Sequence, residues 1–185
     1  MTYPWSSGEV LTAADLNAAL GPTRILQVVS TTKTDTFSVS VASGGNAAIT
    51  GLTATITPSA TSSKILVMAQ VSGQRDQTGG SGVMDLSLAP TRGGTVIAGA
   101  TGDAAGSRSR IHAQNRGGAT GVANSVSVLY LDSPSSTSAL TYGINVFCGI
   151  SAGSATIDIN RSVADTDAAY FFRSASTITV MEVAG

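Results

Sequence analysis

The residues of this chain whose types and spacing could do chemistry are few and scattered. Gly149-Ile-Ser-Ala-Gly153 fits the Gly-x-Ser-x-Gly pattern of a nucleophile elbow, in which a sharp strand-to-helix turn presents the serine. Here the next stretch, Ala155-Thr-Ile-Asp-Ile159, alternates like a strand, so the helix that would complete the elbow is missing. His112 is the single histidine and the one candidate base, and it precedes Ser151, against the serine–acid–histidine order of that fold. A hairpin turn in a glycine- and serine-rich chain fits this context better, and we expect no enzyme.

Other candidates are equally sparse. Asp165-Thr-Asp167, a few residues after Asp158 and Asn160, could offer oxygens to calcium, but the glycine and distal glutamate of an EF-hand loop are absent. A solvated turn is expected there, and no metal. Cys148 is the lone cysteine, so intrachain disulfides and cysteine metal clusters are ruled out. Its setting, Ile144-Asn-Val-Phe-Cys148, is that of a small core residue. Neither Gly-x-Gly-x-x-Gly nor a P-loop occurs, so no nucleotide cofactor is expected. Arg108, Arg110, His112 and Arg116 fall in one glycine-rich stretch, Gly99 to Ala123. Four basic groups are too few for a nucleic-acid groove but could pair with carboxylates of a neighbouring subunit, which makes this a candidate partner-contact loop. Tyr170-Phe-Phe172 beside Arg173 could stack on a glycan, although such a triplet more often supplies core plus one exposed ring.

The chain has 185 residues, enough for one domain plus an arm. Charged residues make up only 11%, against roughly a quarter in an average soluble domain. So little surface charge predicts that much of the surface is covered in an assembly. A net charge of -1 leaves no electrostatic footprint for nucleic acid or an anionic membrane. The first residues lack the basic and apolar regions of a secretory signal, and no apolar run is long enough to span a bilayer. Synthesis in the cytoplasm, without membrane insertion, is the expectation.

The elements that must position these groups are mostly strands. Apolar residues alternate through Phe37, Val39 and Val41, through Leu52 to Ile56, and through Met84, Leu86 and Leu88, with Pro90 expected to end that strand. Lys64 to Val71 is apolar on both faces and reads as a strand covered from two sides. Ser125 to Leu131 and Leu140 to Cys148 read as a long hairpin across Ser133 to Ser138. A short strand near Ile111 and a closing strand from Thr177 to Val183 bring the count to about ten, spaced as in an antiparallel β-sandwich. No longer repeat suggests a solenoid or propeller.

One helix is predicted, near the N-terminus. Thr12 is a good N-cap, Asp15 follows at capping-box spacing, Leu11 and Leu16 occupy staple positions, and Gly21-Pro22 stops it. So short a helix needs a surface to dock on. We therefore divide the chain into an anchor arm, residues 1–22, and a β-sandwich domain, residues 23–185.

Trp5-x-x-Gly8-x-x-Leu-Thr-Ala-Ala-Asp-Leu-Asn17 resembles the N-terminal segment of many virion proteins of tailed bacteriophages and prophages. Ile25 to Ser38 and Ser176 to Val183 are similar to the first and last strands of a β-domain common in such proteins, and Asp132-Ser-Pro134 and Asn160-Arg161 fit the same pattern. The resemblance implies a homotrimeric, jelly-roll-like virion structural protein: a short tail fibre or fibre tip contacting the host surface, with a host-surface glycan as a candidate partner. The alternative it implies is a capsid decoration protein or head fibre. In either case Trp5, Leu11, Leu16 and Leu20 would be the contacts with other virion proteins. A free lectin using Tyr170 to Arg173 is the rival from another class.

Overall fold

A computed structural model describes residues 10, 12, 15, 24–76, 85–117 and 123–185. The described residues form antiparallel β-structure in two sheets. Thr12 and Asp15 exchange the reciprocal bonds of a capping box: the Thr12 amide donates to Asp15 Oδ2 at 3.0 Å and the Asp15 amide to Thr12 Oγ1 at 3.2 Å. The Thr12 hydroxyl and amide hold the Asp15 carboxyl below its usual pKa. The rest of the expected anchor helix lies outside the described residues, among which the one helical element in the chain order is a 3-10 turn at Ala98–Ala100.

The first sheet contains β1 (Ile25–Lys33), β2 (Phe37–Ala42), β4 (Lys64–Arg75), β8 (Asn124–Asp132), β10 (Ser154–Ile159) and β11 (Ser176–Val183). β11 pairs with β4 from Lys64 to Gln70, and β10 continues along the same edge from Gly73 to Arg75. β8 occupies the opposite edge. β1 lies against β11, and β2 against β10. Six segments thus fill four strand positions, and two of those positions hold a strand broken at the same level.

One side chain secures both breaks. Asn160 is fully buried and takes a left-handed φ of 61° between β10 and the excursion 161–175, a conformation that asparagine tolerates better than most residues. Its amide nitrogen donates to the carbonyls of Lys33 at 2.8 Å and Asp35 at 3.0 Å, which closes the bend between β1 and β2. Its side-chain oxygen accepts from Ser176 Oγ at 2.6 Å, where β11 resumes the line of β10. Ser176 Oγ also accepts from the Ser72 amide of β4. Beside this node Gly73 is required, because a Cβ there would sit 2.3 Å from the Asp158 carbonyl.

The second sheet contains β3 (Asn46–Ile56), β5 (Asp85–Arg92), β6 (Thr95–Val96), β7 (Ala113–Arg116) and β9 (Leu140–Phe147). β9 lies between β3 and β5, while β6 and β7 share the outer edge of β5. Pro90 does not end β5. Its carbonyl accepts from the Ile97 amide, so its missing N–H points to the edge where β6 and β7 leave a gap, and no ladder bond is lost. Nor do β8 and β9 form the hairpin read from the sequence: β8 pairs with β4 in one sheet and β9 with β3 and β5 in the other. Their connection crosses between sheets.

The two inner faces meet in a core that includes Leu52, Ile56, Ile65, Val67, Leu88, Ile144, Ile178 and Val180, with Cys148 buried among them. Buried polar groups tie the layers. Arg75 Nε of β4 meets Asp85 Oδ1 of β5 at 2.6 Å. Asp132 of β8 accepts from Arg92 Nη1 at 2.6 Å and from the Tyr142 hydroxyl at 2.7 Å, and burial together with this bond pushes the Tyr142 pKa up. Glu182 Oε1 accepts from the Ser59 amide at 2.7 Å and from the hydroxyls of Ser59 at 2.6 Å and Ser63 at 2.8 Å. Burial opposes the Glu182 charge, yet these donors outweigh it and hold the carboxyl below its usual value.

Asn160→Ala should lower the unfolding free energy by about 2–4 kcal/mol, since it removes three hydrogen bonds and strains the left-handed backbone. Urea titration reads this, and a loss under about 0.5 kcal/mol would contradict the role given to Asn160. For Glu182 the folded pKa lies below the unfolded one, so its contribution is complete above the ordinary carboxylate pKa and is lost as pH falls through the folded value. Glu182→Gln should therefore lower Tm at pH 7 and flatten the decline of Tm below about pH 4.5.

Candidate functional site

The basic stretch after β6 turns inward on itself. Arg110 Nε donates to the Gly102 carbonyl at 2.7 Å, and Arg110 Nη2 to the Ala98 carbonyl at 3.2 Å. His112 Nδ1 lies 2.7 Å from the Ala100 carbonyl, and the Leu129 amide of β8 donates to His112 Nε2 at 3.3 Å. That pair of contacts assigns a neutral ring with its proton on Nδ1. Arg110 and His112 thus converge on one turn, 98–102, and His112 links it to the open edge of β8. Asn115 Nδ2 of β7 reaches the Ser125 carbonyl on β8 at 3.4 Å, a second link between the edges of the two sheets. The arrangement covers a strand edge that would otherwise offer unpaired backbone groups. Arg108 and Arg116 are exposed.

Ser151 sits in the turn between β9 and β10, exposed, and β10 follows at Ser154. Ser43 bonds this turn through the Ile150 carbonyl at 2.5 Å and the Gly153 carbonyl at 2.8 Å. A strand, β10, follows this serine in place of the helix of an elbow, and the chain's one imidazole, His112, is engaged at the Ala100 carbonyl and the Leu129 amide. Among the described residues no three His, Cys, Asp or Glu side chains cluster as metal ligands.

The excursion 161–175 is organised by ion pairs. Asp165 binds Arg173 at 2.7 Å and Arg161 at 3.2 Å, and Arg161 also lies 3.2 Å from Asp158. Both oxygens of Asp165 are thereby engaged by guanidinium groups. At its tip Tyr170 is 69% and Phe172 73% exposed while Phe171 is half-buried, so two rings, not the one expected of such a triplet, face outward. The Tyr170 and Phe171 rings lie 4.6 Å apart, centroid to centroid. A polar hollow of about 250 Å³ adjoins them, lined by Asp165, Thr166, Asp167 and Arg173. Rings and polar groups here could contact a sugar or a protein.

A second exposed region is the outer face of the first sheet. Lys64 to Val71 was expected to be covered on both sides, but Met68 is 39% exposed, and Leu129 and Leu131 beside it 62% and 45%. Alternation on β4 buries Ile65, Val67, Ala69 and Val71, and turns Leu66 and Met68 outward, where among the described residues no further layer covers them. A groove of about 340 Å³ runs here between Met68, Gln70, Ser127, Leu129, Thr177 and Thr179. Trp5, Leu11, Leu16 and Leu20, the expected anchor contacts, lie outside the described residues.

Asp165→Ala should speed limited proteolysis within 161–175 several-fold, while changing the global unfolding free energy by no more than about 1 kcal/mol, as partly exposed ion pairs do. No known protein family matches this chain, and neither does any curated protein sequence.

Proposed function

We propose that this chain is a non-enzymatic structural protein of a tailed-bacteriophage virion: a homotrimeric short tail fibre or fibre tip. Residues 1–22 seat it among other virion proteins, and the β-sandwich faces the host surface. No cofactor, nucleic acid or membrane enters the role.

The observation that carries this reading is the nesting of strand pairs. The first line of strand, β1 with β2, pairs with the last, β10 with β11; β3 pairs with β9; β4 with β8; and β5 with β6 and β7. A long hairpin rolled across two sheets has this order, which we read as a jelly roll, an architecture used in viral capsid and lectin domains. Pairing of Ile25 with Val183 brings the chain's entry and exit to one end of the sandwich, so an arm at that end leaves the opposite loops free to face outward. The resemblance of Trp5 to Asn17 to phage virion segments supports the anchor role. The exposed rings of Tyr170 and Phe172 suit contact with a host-surface glycan.

Immunogold labelling of purified particles with an antibody to the β-domain tests the proposal. Label at the tail is expected; label over the head would replace the fibre with a capsid decoration protein or head fibre, and unlabelled particles would overturn a virion role. Deleting residues 1–22 should abolish incorporation, whereas a free lectin would keep its binding.

A further inference from the structure

The excursion 161–175 leaves and rejoins the sheet at one point, and its backbone folds back on itself repeatedly. The Ser174 amide donates to the Asn160 carbonyl at 3.2 Å and Ser174 Oγ to Ser72 Oγ at 2.8 Å, which closes its base. Within it the amides of Asp165, Thr166 and Ala168 each donate to the carbonyl two residues back, and the Phe171 amide to the Ala168 carbonyl at 3.0 Å. Asp165 then ties the two limbs together through Arg161 and Arg173. A compact loop with its ends together and its limbs braced by its own side chains presents a fixed surface, so little ordering is left for a ligand to impose.

That surface holds the hollow of about 250 Å³, and its walls are chemically mixed. Phe171 forms an apolar wall, and the Tyr170 ring leans on it with the two planes 41° apart. Asp167 also lines the hollow and is exposed, and among the described residues no side chain pairs with its carboxylate. Arg173 meets Asp165 through Nη2 alone, so among the described residues its Nε and Nη1 donors are left for a ligand.

We infer that this hollow binds a single neutral pyranose, the terminal unit of a surface glycan. The inference rests on the host-surface contact proposed above and names its ligand and its site. A pyranose has one face of C–H bonds and a girdle of hydroxyls. The C–H face lies on Phe171, where polarised C–H groups meet the negative face of the ring. Two neighbouring hydroxyls donate to the Asp167 carboxylate, and Arg173 donates to a third oxygen; bonds with one charged partner are stronger than neutral ones. Charge selects a neutral ligand. The guanidiniums of Arg161 and Arg173 are set against the carboxylates of Asp158, Asp165 and Asp167, which leaves the Asp167 charge in excess where the ligand enters. An acidic sugar would bring its own carboxylate against that one. Size selects one unit: the hollow falls below the roughly 300–1,000 Å³ of pockets that enclose drug-sized ligands.

Saturation-transfer difference NMR on the full chain tests the site, with the methyl glycosides of glucose, galactose, mannose and N-acetylglucosamine as neutral probes and those of glucuronic and galacturonic acid as acidic ones. At least one neutral glycoside should respond, most strongly at its ring C–H protons, and the acidic ones should not. Asp167→Ala should weaken that binding roughly tenfold or more, as loss of a charge-assisted hydrogen bond does, with an unchanged far-ultraviolet circular dichroism spectrum because the side chain is exposed. Asp103→Ala, which removes an exposed carboxylate from another loop, should leave binding unchanged. No response from any neutral glycoside overturns the inference. So does binding that Asp167→Ala leaves intact, binding that Asp103→Ala weakens as much, or a stronger response from the acidic glycosides. Particle labelling reads where the chain sits and these spectra read what it binds, so either proposal can fail alone.

Discussion

Two long strand positions of the first sheet depend on the buried amide of Asn160. A strand that must both span a sheet and release a loop partway faces a conflict, because the departing chain abandons its ladder partners in the interior. Unsatisfied backbone groups there would cost about 1–3 kcal/mol each. The amide resolves this by standing in for the missing backbone: two donors reach the carbonyls at the β1–β2 bend, and one acceptor holds Ser176 where the strand resumes. The left-handed backbone at Asn160 turns the chain out of the sheet. Gly73 across from it clears the space that close approach requires. Because two breaks share one fastening, the excursion 161–175 can present exposed rings without opening the core beneath it.

The same economy governs the sheet edges and the interior ion pairs. Two stacked open sheets leave strand edges that could pair with other chains, and the open edge of β8 is met by His112 and Asn115 from the opposite sheet. Arg75 with Asp85, and Asp132 with Arg92 and Tyr142, each join a strand of one sheet to a strand of the other. Such buried groups add little net stability compared with apolar packing, but leaving one partner alone is expensive. They therefore discriminate the observed stacking of the sheets from slipped alternatives, in which a charge would be buried unpaired. Among the described residues, the large exposed apolar side chains are Val10, Ile25, Leu26 and Val28 on and before β1, Met68, Leu129 and Leu131 on the outer face of the first sheet, and Tyr170 and Phe172.

Local pattern made much of this fold legible. Alternation at period two identified the inward residues of β2 and of the second half of β3, because one face of each is buried and side chains on a strand point alternately to the two sides. The capping contacts of Thr12 and Asp15 follow from residue types three apart. Misreadings arose where a residue's neighbours come from elsewhere in the chain. Pro90 looks like a terminator until β6 and β7 are seen to leave a gap beside it. His112 looks like an exposed base among arginines until β8 approaches it. Leu66 and Met68 made β4 look doubly covered, although Met68 is exposed and Leu66 only half-buried.

By itself, the sequence determined the all-β class, the inward residues of strands such as β2 and β3, the absence of an intrachain disulfide, and a low charge. These depend on composition and on contacts a few residues apart, which the order of residues encodes directly. Tertiary structure decided which strands pair, that β8 and β9 part company into different sheets, and that Asn160 rather than any catalytic-looking group is the most heavily bonded polar side chain at the strand breaks. The physical reason is range: an amide that joins residues more than a hundred positions apart leaves no periodicity in the sequence, and its role emerges only when the folded chain brings those carbonyls to it.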